Sequence, residues 1–218
     1  MERYFIFDKF NTWYDWDLIL TSKDLTPPEP KTNLVEIDGM SGSLDLSEAL
    51  TGEIHYEDRT VTATFWTDNG NRKEREKLLR DIRVALHGKK VKIIEPDDPD
   101  HYFYGRVSVT AEVNNLAYAE LEIECICDPW RYAINESERR VDVNSLVATD
   151  VIIHNNGVKT LCPTITITGA VGITYKGVTT ALTTGNYKIS DIKLRQGVNM
   201  IGVSGAGSAI FTYQEAEL

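Results

Sequence analysis

Between Tyr118 and Tyr132 the chain alternates: Leu121, Ile123, Cys125 and Cys127 fall on one side, Glu120, Glu122 and Glu124 on the other. A period of two is the pattern of a strand with one buried and one wetted face. Asp128-Pro129 is expected to end this strand, because proline has no N–H to offer a ladder and holds the residue before it extended. The same alternation marks residues 54–66, where Val61, Ala63 and Phe65 interleave with Thr60, Thr62 and Thr64. Further strands are predicted at residues 3–8 and 13–20, around a turn at Asn11-Thr12, and at 33–37, 91–94 and 102–109. The period changes once, over residues 71–86. There Leu78, Leu79, Ile82, Ala85 and Leu86 form an apolar stripe at helical spacing, charged residues solvate the first turns, and His87-Gly88 closes the helix.

Beyond Tyr132 no helical pattern returns. A charged bridge over residues 135–142 leads to short strands predicted at 151–154, 164–168, 172–175, 187–189, 199–203 and 209–213. Turn signals such as Asn155-Asn156-Gly157 and Thr184-Gly185-Asn186 separate them, which points to a small antiparallel sandwich. The expected fold class is therefore mainly β. An α+β N-terminal domain with one main helix spans residues 1–133, and a C-terminal antiparallel β-sandwich spans residues 134–218. At 218 residues each part is long enough to bury a core.

Charge narrows the partners. With 23 basic against 33 acidic side chains the chain carries −10, so it is expected to repel a polyanion rather than grip DNA or RNA through counterion release. DNA passing nearby without sticking is compatible with that sign. No run approaches the roughly 20 apolar residues of a membrane helix, and residues 1–8 are too short in apolar run for a signal peptide, so synthesis in a cytoplasm without membrane insertion is expected.

Candidate chemistry is sparse. Gly39-Met40-Ser41-Gly42 lacks the second glycine spacing of a nucleophile elbow and reads as a turn. Glu95-Pro96-Asp97-Asp98-Pro99-Asp100-His101 could offer carboxylates to calcium, but without EF-hand spacing it reads as an acidic hairpin turn. Cys125, Cys127 and Cys162 form no CxxC pair and read as reduced, buried thiols. Pro27 to Pro30 suits a stiff connector more than a PxxP ligand. His55, His87, His101 and His154 are dispersed, and no Walker loop, dinucleotide fingerprint or zincin helix is present. No catalytic, cofactor-binding or metal-ligating residue is assigned, no cofactor is expected, and an enzyme is not expected.

The order of features carries more. The aromatic N-terminal strand pair, the Pro-rich connector, Val35-Glu36-Ile37-Asp38-Gly39-Met40-Ser41-Gly42-Ser43, the Arg59-Thr60-Val61 strand, the Lys/Arg/Glu-rich helix and the ending Cys125-Ile126-Cys127-Asp128-Pro129-Trp130-Arg131-Tyr132 resemble the distal tail protein family of siphophages and prophages. The family's Gly-rich turn carries an Arg or Asp beside it, where this chain has Met40 and Ser41. The resemblance implies a structural baseplate hub at the virion tail tip: N-terminal domains closed into a homo-hexameric ring between the tail-tube protein and the tail-associated tip protein. It implies galectin-like C-terminal sandwiches projecting outward, toward receptor-binding proteins, and a channel through which DNA passes without specific binding. The competing reading is a carbohydrate-binding module for host-surface glycans, with Trp130, Tyr175, Tyr187 and Tyr213 as stacking rings.

Overall fold

The computed structural model describes residues 4–218, so Arg3, expected to open the first strand, lies outside the described residues. The chain divides into two compact units: residues up to Arg131 together with Leu218, and Tyr132–Glu217.

In the first unit, β1 (Ile6–Phe7) and β2 (Phe10–Asn11) form a tight hairpin and β3 (Ile19–Leu25) follows. A two-stranded ribbon, β4 (Leu34–Glu36) and β5 (Ser43–Asp45), precedes β6 (Arg59–Thr67), helix α1 (Arg72–Leu86), β7 (Lys90–Glu95), β8 (Asp98–Asn114) and β9 (Ala119–Ala133). The main sheet runs β2-β1-β7-β8-β9-β6-β3. The predicted strand at 13–20 and its turn at Asn11-Thr12 are both displaced, since residues 12–16 are turns. Their cause is Asn11, whose Oδ1 accepts from the Trp13 and Tyr14 amides at 3.0 and 3.1 Å while its own amide donates to Asp15 at 2.7 Å. Asn and Asp side chains that capture nearby amides offer the backbone an alternative to a ladder.

Helix α1 forms where the period changes. Asn71 caps it: Oδ1 accepts from the Lys73 and Glu74 amides, and Glu74 accepts in return from the Asn71 amide at 2.8 Å. This reciprocal box satisfies amides that no helical carbonyl can reach. Leu79, Ile82 and Leu86 drop into a core with Phe5, Phe7, Phe65, Ile93, Leu121 and Ile123, each such burial stabilising the unit by about 1.5–3 kcal/mol.

The sheet curls on itself. Lys23 on β3 forms ion pairs with Glu95 and, at 2.8 Å, with Asp97 at the end of β7, although β8, β9 and β6 separate those strands in the sheet order. Arg59 of β6 likewise lies over the Phe103 ring of β8, 4.8 Å from its centroid, across the inside of the curl. β9 does not stop at Asp128-Pro129 but continues to Ala133. Its ladder with β6 ends at the Arg59–Cys127 pair, so the missing N–H of Pro129 falls beyond the register where β6 could use it.

The second unit has fewer, longer strands than predicted. β10 (Ser137–Asn155) begins inside the expected charged bridge, and β11 (Thr164–Tyr175), β12 (Val178–Leu182), β13 (Gly185–Lys188), β14 (Gly197–Tyr213) and β15 (Ala216–Glu217) follow. β11 and β14 each fuse two expected short strands. The sheet order is β10-β14-β11-β12, and β11 pairs β13 through its first half and β12 through its second. Ile201, Val203, Ala209 and Phe211 of β14 all point into one core with Val151, Ile167 and Ile173, so one bent sheet, not a set of separate strands, supplies both layers.

Two glycines make the bend. Gly205 and Gly207 fall in the inward series between Val203 and Ala209, with φ of +112° and +153°, and a Cβ there would overlap the carbonyl oxygens of Ala170 and Thr168 respectively. Only a residue without Cβ lets the two backbones approach this closely. Opposite them β10 bulges: Ser145 pairs Gly205 and Thr149 pairs Val203, so three residues on β10 face one on β14. Two extra residues leave the side-chain alternation intact, and Val141, Val143, Val151 and Ile153 keep facing the core.

Candidate interaction surface

The residues singled out for chemistry do not converge. Met40 and Ser41 sit in the turn between β4 and β5, flanked by Gly39 and Gly42 at φ of +86° and +79°, with the Met40 amide donating to the Ile37 carbonyl at 3.1 Å. His55 contacts the Thr51 hydroxyl, His87 accepts the Val109 amide at 3.0 Å below the helix end, His101 lies 2.9 Å from Asp98, and the His154 carbonyl accepts from the Tyr213 hydroxyl at 2.6 Å. In the acidic turn Glu95 and Asp97 are held by Lys23, and Asp98 by His101 and Arg131. Among the described residues no group of three or more His, Cys, Asp or Glu is placed to hold a metal ion.

Cys125 and Cys127 are buried in the core of the first unit. Burial pushes both thiols up, Cys127 to about 12, because a thiolate there would lose its hydration. Cys162 is half-buried and its thiol donates to the Ile189 carbonyl at 3.2 Å. Of the four rings considered for glycan stacking, Tyr213 is buried in the second core, Tyr175 and Tyr187 pack against that core, and Trp130 meets Tyr56 edge-to-face at 5.5 Å. No helix among the described residues is long and apolar enough to cross a membrane.

What stands out is an arm. The connector beginning at Thr26 leads out of the sheet, and the chain returns at Glu57, whose amide donates to the Glu29 carbonyl at 2.8 Å. The Lys31 amide and the His55 carbonyl, 2.7 Å apart, and a Lys31–Glu57 ion pair close the same base. Within the arm the Leu46 amide donates to the Asn33 carbonyl, and β4 pairs β5 through three register positions. Every residue from 31 to 45 is exposed. Leu34, Val35, Ile37, Met40, Leu44, Leu50 and Ile54 are among them or follow closely, Leu50 being 99% exposed. A two-stranded ribbon is marginal in water without a covering face, and contiguous exposed apolar groups mark contact surfaces.

The arm is also where the negative charge collects. Residues 29–57 hold seven carboxylates against one lysine, a net −6 out of the chain's −10. Helix α1 has the opposite balance, six basic against three acidic side chains. Beside it Arg72, Glu76, Leu79, Arg80, Arg83, Glu112 and Asn114 line a groove of about 370 Å³, in which Arg83 pairs with Glu112. Sequence reasoning passed over the arm as strand and turn. Its signal was available: apolar residues on both faces of a short ribbon, with carboxylates and almost no cations.

No protein-family model and no curated protein matches the sequence. A search of solved structures returns the crystal structure of the SPP1 Dit (gp 19.1) protein, described as a paradigm of hub adsorption apparatus in Gram-positive infecting phages. The two are 16% identical, with a TM-score of 0.71 over 97% of this chain and 98% of that one. The likeness runs along nearly the full length of both chains, and with most of this chain in strands it gives the protein the mainly-β fold of that Dit protein.

Proposed function

We propose that the protein is a structural component of a phage tail baseplate, a hub at the virion tail tip, and not an enzyme. The supporting observation is the likeness of nearly the whole chain, over 97% of its length, to a hub adsorption apparatus protein. In this reading the first unit forms a homo-hexameric ring stacked between the tail-tube protein and a tail-associated tip protein. The second unit is the peripheral, galectin-like domain that faces receptor-binding proteins. Six copies would carry about −60 in total, and a lumen of that sign lets DNA slide past instead of adsorbing.

Reconstitution with the tail-tube protein, imaged by electron microscopy, tests it. The expected result is a six-fold ring capping the tube. Absence of rings and of tube binding at every concentration would sink the reading, and binding to a host glycan array without ring formation would favour the carbohydrate-binding alternative.

A further inference from the structure

We propose that the arm of one copy docks along the α1 groove of the next copy, Glu36, Asp38 and Glu48 meeting Arg72 and Arg80. This deepens the ring reading and rests on it, since it names the surfaces by which neighbours hold each other.

Three observations on the arm and the helix converge. Between residues 31 and 45 the arm's apolar residues keep much of their surface free, from 38% at Val35 to 58% at Leu34, and every residue there is exposed, so the arm is not folded onto its own helix. Among the described residues Glu36, Asp38 and Glu48 have no ion-pair partner, and neither do Arg72 and Arg80, which line the groove with Leu79 as its apolar floor. The signs are segregated within one sequence: −6 on the arm against three acidic and six basic side chains on the helix. Val84, 73% exposed on α1, adds an apolar contact beside the arginines.

Charge complementarity of this kind selects a partner and its register more than it adds raw affinity. A second copy is the occupant because it supplies both surfaces at once. The contact is head-to-tail, arm to helix and never arm to arm, and a heterologous contact of this kind is what a ring requires, closing whenever its rotation divides the full turn and running on as a filament otherwise.

Charge reversal tests it. One variant carries Glu36→Lys, Asp38→Lys and Glu48→Lys, a second carries Arg72→Glu and Arg80→Glu, and a third combines both sets. Assembly is followed by mass photometry and sedimentation across protein concentration and salt. Each set alone is expected to weaken self-association at least about tenfold, and the combination to recover most of it, the signature of direct coupling between paired sites. A photo-cross-linker at Leu44 in the otherwise native chain, with labelled and unlabelled copies mixed, is expected to join Leu44 to α1 peptides of another copy. Rings that form unchanged in both reversed sets, or cross-links that land elsewhere, overturn the docking and leave the hub reading standing. A chain that stays monomeric even on the tail tube overturns both.

Discussion

Gly205 and Gly207 set the tightest tolerance in the molecule. Each faces a carbonyl oxygen of β11 at the point where the sheet folds over, so Gly207→Ala forces backbone apart as well as straining φ. We expect a loss of more than about 2 kcal/mol for the second unit, read as a shift in its denaturation midpoint. Gly39 provides the contrast: its φ is +86° but nothing lies within 4 Å, so Gly39→Ala costs only about 1 kcal/mol. Lys23 sets a second condition at this scale. Burial alone would lower its pKa, but hydrogen bonds and charge from Asp97 and Glu95 outweigh that and raise it above 10.5. A raised pKa contributes stability that is complete below the unfolded value and lost as pH climbs through the folded one. Lys23 should therefore add to the loss of stability above about pH 10.5, on top of the loss that the raised Cys125 and Cys127 thiols begin above 9.0, and Lys23→Met should make the alkaline slope shallower without removing it. Lys23→Met also leaves Glu95 buried without its cation, at a cost of about 3 kcal/mol at neutral pH, measurable by urea denaturation.

At the scale of elements, local signals worked where the chain itself closes the hydrogen bonds. Helix α1 was legible because its cap, stripe and stop all lie within residues 71–88. Asn71→Ala should remove about 1 kcal/mol with no change in the denaturant slope, since the cap acts on the folded helix alone. β6 and the first part of β9 were legible for a similar reason: alternation reports a buried face whatever the partner is. Strand ends were not. Pro129 reads as a stop, yet the ladder that would need its N–H has already ended. Residues 204–208 fall between two predicted strands, yet Gly205 and Gly207 keep β14 continuous through a fold in the sheet. In each case the deciding partner is remote in sequence. The arm was not legible, because exposure depends on what packs nearby.

For the whole molecule, charge is the property that reaches furthest. A chain at −10 should not retain duplex DNA in a filter-binding measurement at about 50 mM salt, where Lys/Arg-driven binding is strongest. Retention that falls steeply with added salt would contradict the proposed non-adhesive channel. Composition, alternation and capping residues were enough to determine a mainly-β chain with one helix, a change of character after Tyr132, and an acidic surface, because each is a sum or a short-range pattern. The tertiary structure alone decided that the first sheet curls until Lys23 meets Glu95, that the second unit is one bent sheet, and that residues 31–45 remain exposed. Those outcomes depend on which distant backbones pair and which side chains find no neighbour, and no local window of sequence contains that information.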